Sequence, residues 1–138
     1  MQIVENKHLI IRTRKPERIL TKNIAADVIH KNGDIYTIKC EWDLQNTVAL
    51  SDIGVTNLLS PIVRDYAWKG AFSPMIHQVD TASFLSARRR AFCFNEQGTG
   101  KTASAIWASD YLMEQGVINR VLVVCPLSII QTAWEHDL

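Results

Sequence analysis

No stretch of this sequence is long and apolar enough to cross a membrane. The longest purely apolar run, Val121–Cys125, is far shorter than the roughly 20 residues that a spanning helix needs. The first residues, Met1–Glu5, lack the basic and apolar regions of a secretion signal. We therefore expect a cytoplasmic protein with no membrane partner.

Cysteine is scarce, and its spacing argues against two kinds of site. The chain holds three cysteines, Cys40, Cys93 and Cys125, and no two of them form a Cys-x-x-Cys pair. Their spacing disfavours a disulfide framework and a zinc site. The sequence predicts reduced thiols that are buried within strands.

The chain also has little net charge, +1 over 138 residues, so no global field draws it onto nucleic acid. Its basic residues are nevertheless unevenly distributed. Six of them lie between Lys7 and Lys22, where Glu17 is the single acid. Two interpretations stay open: a solvated strand face, or a strip that faces a DNA duplex.

The first part of the chain has β patterning. His8–Arg14 alternates loosely, and Asp27–His30 and Ile35–Trp42 flank Asn32-Gly33, which predicts a hairpin with a type I′ turn. On its second strand, one face is predicted to be buried, and it carries Tyr36, Ile38, Cys40 and Trp42.

A short helix should follow, capped by Asp43 and ended by Gly54. We therefore predict a small β-rich region with one short helix over residues 1–55. Residues 56–72 contain turn-forming pairs such as Ser60-Pro61 and are predicted to be a linker. Its aromatic residues are expected to anchor it to the next part of the chain.

Gly98-Thr99-Gly100-Lys101-Thr102 is the motif with the clearest chemistry. It follows a predicted strand, Ala91–Phe94, and opens a helix predicted from Gly100 to about Gln115. Glycines let successive backbone N–H groups turn toward one anion. Lys101 can then reach the β- and γ-phosphates of a nucleotide, and the Thr102 hydroxyl can bind Mg²⁺. The alternative is a glycine turn before an ordinary helix.

The elements around this motif alternate between helix and strand. Ser73-Pro74 predicts the start of a helix that runs to about Arg88 and buries Ile76, Val79, Ser83 and Phe84. Val121–Cys125 reads as a buried strand. Ser128 and Gln131 form a capping box for a last helix. This β-loop-α-β-α order predicts an α/β fold with a doubly wound parallel sheet. Because it supplies only two core strands, we expect the chain to be incomplete.

Asn95–Thr102 resembles motif I of superfamily-two helicases, and most closely its Swi/Snf-type branch, in which an aspartate is typical where Asn95 stands. Together with Ser60–Tyr66 and Trp68, the sequence is similar to Swi/Snf-type helicases of tailed phages. The resemblance implies that residues 73–138 are the first part of a RecA-like lobe. It also implies ATP and Mg²⁺ as cofactors and, for a phage protein, the host cytoplasm as its location.

Two further motifs share the resemblance. Ile76–Val79 is similar to the family's adenine-reading glutamine motif, with Gln78 as the reader; His77 stands where an aromatic is common, and Phe72 is a substitute. Arg120–Ser128 resembles motif Ia, which touches the DNA backbone. The resemblance therefore implies DNA contacts at Pro126, Leu127 and Ser128, a catalytic role for Lys101, and nucleotide binding by Gln78, Gln97, Gly98, Thr99, Gly100, Lys101 and Thr102.

The family's adjacent Asp-Glu motif does not occur in this chain, nor does a second helicase lobe. By resemblance, the parent protein hydrolyses ATP and moves along DNA with its C-terminal lobe as partner, whereas this chain binds nucleotide at most. Two alternatives stay open: a small P-loop kinase, and a non-enzymatic truncated product or DNA- or protein-interaction module built on the β region.

Overall fold

The computed structural model describes residues 1–21 and 23–130 and residue Trp134. Its four strands come first and its four helices follow. The strands are β1 (Gln2–Val4), β2 (His8–Thr13), β3 (Ala26–Asn32) and β4 (Ile35–Glu41), and the helices are α1 (Leu44–Asp52), α2 (Ile62–Asp65), α3 (Ile76–Ser86) and α4 (Lys101–Glu114). Single 3₁₀ turns lie at Pro16–Arg18 and Leu127–Ile129. Within the described part of the chain, every helix is too short or too polar to span a lipid bilayer.

The strands form one antiparallel sheet in the order β1-β2-β4-β3. The predicted hairpin is confirmed, but its predicted turn is wrong. The last ladder pair is Asn32 with Ile35, so the two turn residues are Gly33 and Asp34, and only Gly33 has a positive φ, +56°. Asn32 is still part of the strand, where an extended backbone is required, so a type I′ turn at Asn32-Gly33 cannot form.

One face of the sheet is buried. On β4, Ile38 and Cys40 are buried and Tyr36 is half-buried, as predicted. These side chains pack with β2, α1 and the segment after it into a first core of Leu9, Ile11, Ile19, Ile24, Ile38, Cys40, Trp42, Leu50 and Leu58. The indole Nε1 of Trp42 donates to the carbonyl of Leu59 at 2.8 Å, which ties the end of the sheet to the segment that follows α1.

The predicted parallel sheet is not present in the described residues, so only the α/β class of the prediction holds. Residues 91–94 and 121–125 form no strand, and Phe94 and Leu122 are 89% and 87% exposed. A strand exists only through hydrogen bonds to a neighbouring strand, and a short apolar run does not reveal whether that neighbour is there. Cys93 and Cys125 lie in these segments and are only partly buried.

The short helix α1 is confirmed at its start. A carboxylate oxygen of Asp43 accepts from the backbone N–H of Asn46 at 2.6 Å, which satisfies one of the free donors of the first turn. The helix ends before Gly54, whose φ is +86°. Leu50 packs into the first core, whereas Leu44 packs into a second core beside α3 and α4.

The helix α3 begins later than predicted and buries a different face. It starts at Ile76 after the cap residue Met75, not at Pro74. Ile76 is 83% exposed and Phe84 is also exposed, contrary to prediction, and Val79 is half-buried. Ser83 is buried as predicted, together with Thr81, Ala82 and Ser86. Small residues lie inward because α3 packs closely on α4 and on Ser60, whose backbone N–H donates to the Ser83 hydroxyl at 2.8 Å.

The predicted linker, residues 56–72, contains α2 and packs against the helices. The predicted domain boundaries at residues 55 and 72 stay a prediction. Tyr66 stacks edge-on against Tyr111 of α4, and Trp68 stacks edge-on against Trp107. The Trp107 indole donates to the carbonyl of Lys69 at 2.6 Å. A second core joins α4 to α1, α2 and α3. It consists of Leu44, Ile62, Tyr66, Ala82, Trp107, Ala108 and Tyr111.

Candidate functional site

The glycine-rich segment forms an open loop that leads directly into α4. Gly98 and Gly100 have φ values of +79° and +74°, and Gly100 is the cap residue of the helix. These angles belong to the left-handed region that glycine enters without a Cβ penalty. The predicted loop and helix are therefore present, while the predicted strand before them is not.

The backbone N–H groups of this loop are available to a ligand. From Glu96 to Ala103, none of them donates to an acceptor within residues 1–21 and 23–130 or Trp134. The first N–H groups of a helix have no partner inside the helix, and the helix dipole adds positive potential at the same place. The donors of Gly98, Thr99, Gly100, Lys101 and Thr102 therefore lie in one short turn at the start of α4.

Lys101 lies across the loop. Its ammonium donates to the backbone carbonyls of Asn95 and Glu96, at 2.9 Å and 2.7 Å. An ammonium can make three hydrogen bonds, and two of them go to backbone carbonyls at the start of the loop. The cation is therefore held against the loop.

Gln78, predicted from a separate helix, is brought to the same loop. Its side-chain Oε1 accepts from the N–H of Met75 at 2.9 Å, and its Nε2 lies 3.5 Å from the carbonyl of Thr99. His77 Nε2 lies 3.1 Å from that same carbonyl. A carboxamide has two acceptor and two donor positions, so Gln78 retains one of each for a further partner.

Thr81 is a residue of this site that the sequence did not reveal. Its hydroxyl donates to the carbonyl of His77 and accepts from the side-chain nitrogen of Asn95, both at 2.7 Å. The start of the loop is thereby tied to α3. A buried threonine in a helix carries no sequence signal for such a role, because its partner lies in a distant part of the chain.

A cavity of about 380 Å³ lies beside the loop and is lined by residues that include Phe72, Ser73, Met75, Gln78, Ala103 and Trp107. Phe72 is 85% exposed. Small-molecule sites are typically concave and mostly apolar, with a few polar groups that fix orientation. This cavity has that composition, with Lys69, Ser73 and Gln78 as its polar residues.

Other predicted site residues are not brought to the loop by any described contact. Pro126 immediately precedes the 3₁₀ turn Leu127–Ile129, and Pro126, Leu127 and Ser128 are all exposed. Gln131 and most of the predicted last helix lie outside the described residues. Thr102 is half-buried at the start of α4. No group of three His, Cys, Asp or Glu side chains suited to a metal occurs in the described part of the chain, so Mg²⁺ binding through Thr102 stays a prediction. Gln97 is exposed within the loop.

A charged cluster fixes the position of the cavity wall. The Lys69 ammonium contacts the carboxylates of Asp110 and Glu114 at 2.8 Å and 2.6 Å, and the Tyr66 hydroxyl donates to Asp110 at 2.7 Å. These partners lower the pKa of Asp110, with Lys69 having the larger effect. Burial, followed by the bond to Asp110, raises the pKa of Tyr66. The cluster therefore holds the segment before Phe72 onto α4.

Comparison with known proteins gave no relative. No family model matches this chain, no curated protein matches it, and no solved structure matches it.

Proposed function

We propose that this chain binds the triphosphate of ATP at the loop of residues 96–102. One observation carries the proposal: the backbone N–H groups from Glu96 to Ala103 donate to no acceptor in the described residues, while the Lys101 ammonium lies across the same turn. Donors and a cation that converge at a helix start form an anion site. Glycines at positions 98 and 100 permit the close approach of the backbone.

Binding would exchange partners at Lys101. The ammonium would leave the carbonyls of Asn95 and Glu96 for phosphate oxygens, which carry more negative charge and form stronger hydrogen bonds. Mg²⁺ would neutralise part of the phosphate charge, and the Thr102 hydroxyl is the group of this chain that fits it. The oxygen of a hydroxyl is a ligand type that Mg²⁺ accepts.

The cavity beside Gln78 is the proposed adenine site. A carboxamide can donate a hydrogen bond to N7 of adenine and accept one from its 6-amino group. Guanine has a carbonyl in place of that amino group and cannot donate there. Phe72 supplies an exposed aromatic ring on which the adenine base would stack. The triphosphate and adenine sites adjoin, since Gln78 contacts the loop at Thr99.

The motif resemblance extends this proposal to the parent protein, a DNA-dependent ATPase that translocates along or unwinds DNA. In that proposal, Pro126, Leu127 and Ser128 contact the DNA backbone, and hydrolysis requires the downstream Asp-Glu motif and the second lobe. The Leu127–Ile129 turn is exposed, as such a contact requires. This chain alone would bind ATP without rapid turnover.

Binding of a fluorescent ATP analogue to the purified chain tests the proposal. We expect saturable, Mg²⁺-dependent binding that Lys101→Ala abolishes and that Lys7→Ala, which removes a similar charge from an exposed turn, leaves unchanged. Saturable binding that survives Lys101→Ala would reject the phosphate site, and so would an absence of binding by the unaltered chain.

Competition by ATP and GTP tests the adenine site separately. Gln78→Glu retains an acceptor for the N–H of Met75 but removes the donor, so helix α3 keeps its cap. We expect the unaltered chain to prefer ATP and the variant to lose roughly ten-fold in that preference, since a paired base edge contributes about 1–3 kcal/mol. Equal preference in the two proteins would contradict the adenine role.

A further inference from the structure

A second cleft, which shares no lining residue with the first, lies between the end of β2 with its 3₁₀ turn and the segment that follows α1. Its volume is about 480 Å³. Three cationic residues are among its lining residues, and they are Arg12, Lys15 and Arg18. Arg12 lies at the rim, because it is on the opposite face of β2 from the buried Ile11 and also lines a shallow groove with His30 and Thr37. No aspartate or glutamate is among its lining residues. These cations belong to the basic stretch between Lys7 and Lys22, which has no part in the proposed nucleotide site.

The three charges are not neutralised within the described part of the chain. The ion pairs found there involve Arg64, Lys69 and Arg89, and none involves a residue of the cleft. All three cleft cations are exposed. Like charges that converge in one concavity repel one another, and the repulsion is relieved when an anion enters.

The cleft is also partly organised before any ligand arrives. A guanidinium nitrogen of Arg18 donates to the carbonyl of Ile53 at 2.6 Å, which fixes the side chain at the rim and leaves its other N–H groups for a ligand. On the same rim, the backbone N–H groups of Thr56 and Asn57 donate to no acceptor in the described residues. Guanidinium, ammonium and backbone N–H groups are the donors that contact phosphates in DNA complexes.

We propose that this cleft binds the phosphodiester backbone of a DNA duplex. The choice of DNA as the anion rests on the proposed function, whereas the anion site itself is inferred from the cations and N–H groups of the cleft. A guanidinium can donate two parallel hydrogen bonds to two oxygens of one phosphate. The regular phosphates of a duplex therefore fit this cleft better than irregularly spaced carboxylates on a protein. The N-terminal sheet would then hold DNA independently of nucleotide.

Duplex binding without nucleotide tests the cleft directly. The chain is titrated into a short fluorescein-labelled DNA duplex, and anisotropy is measured from about 50 to about 200 mM salt. Each lost phosphate contact reduces the slope of log K against log salt by about 0.9. We therefore expect Lys15→Gln and Arg18→Gln each to weaken binding and flatten the slope by about 0.9, and the double variant by about 1.8.

Lys7→Gln is the matched control, because Lys7 precedes β2 and lies about 20 Å from Thr13, at the other end of that strand. It should bind like the unaltered chain, and so should Lys101→Ala. A chain that fails to bind ATP but shows this pattern would reject the nucleotide site and support the cleft. The cleft proposal fails if the unaltered chain does not bind the duplex, if Lys7→Gln has the same effect as Lys15→Gln, or if a polyglutamate peptide competes as well as the duplex.

Discussion

The side chain of Gln78 lies against the α-carbon of Gly100, so that a Cβ at Gly100 would overlap the Gln78 amide nitrogen. The helix that carries the candidate adenine reader and the loop that carries the candidate phosphate site are therefore in contact with no space between them. Because Gly100 also has a φ of +74°, any other residue there would be strained, and its Cβ would in addition displace the Gln78 side chain.

Gly100→Ala should destabilise the chain by more than backbone strain alone, which is about 1–2 kcal/mol for a non-glycine residue in this region. Gly116→Ala is the matched control, since Gly116 has a φ of +67° and nothing within 4 Å of its built Cβ. Urea unfolding measures both. In a Gln78→Ala background, the extra cost at Gly100 should disappear; an extra cost that persists would mean that the overlap with Gln78 is not its cause.

Asp43→Ala should lower the free energy of unfolding by about 1 kcal/mol, the usual cost of removing a helix N-cap. The lost interactions are the carboxylate bonds to the backbone N–H and the side-chain nitrogen of Asn46, at 2.6 Å and 3.0 Å. Asp43→Asn retains an acceptor and should recover most of the loss. Equal destabilisation by both variants would assign the effect to charge instead of capping.

Stability should depend on the ionisation of Asp110. Lys69 and Tyr66 lower the pKa of Asp110 below its ordinary 3.8, so its contribution is present above that value and is lost as the pH falls through the lower folded pKa. Asp110→Asn should therefore be less stable at neutral pH by about 1 kcal/mol, and the gap should close in acid. Unfolding curves between neutral and acid pH measure this gap, and Asp34→Asn, in the exposed hairpin turn, should show no such convergence.

The three thiols should differ in reactivity. Burial, and secondarily the charge of Asp43, raises the pKa of Cys40 to about 11, so at mildly alkaline pH only about one molecule in a thousand carries the reactive thiolate there. Cys93 and Cys125 are partly exposed. Alkylation followed by peptide mass spectrometry should find these two labelled long before Cys40. Equal labelling rates would contradict the buried position of Cys40.

Features that are encoded locally were predictable from the sequence. The alternation of β4 located its buried face, Asp43 located the start of α1, and Gly100-Lys101 located the start of α4. Each depends on side chains within a few residues of one another. The turn at Gly33-Asp34 was misplaced by one residue, because strand pairing with Ile35 decides where β3 ends.

Features that depend on distant partners were not predictable. The apolar run at residues 121–125 has the composition of a strand, but no neighbour pairs with it in the described residues. The face that α3 buries is set by the close approach of Ser60 and α4, so Ser86 lies inside while Ile76 lies outside. In the site, the contacts of Gln78 and Thr81 with the loop required the structure, because their partners lie in a distant part of the chain.

The helix α1 has a consequence for how the halves of the molecule depend on each other. Leu50 packs into the first core beneath the sheet, and six residues earlier Leu44 packs into the second core against α4. Unfolding of the sheet would remove the packing that supports α1, and through Leu44 it would weaken the second core. Mutations in the N-terminal strands should therefore lower the stability of the helices as well as that of the sheet.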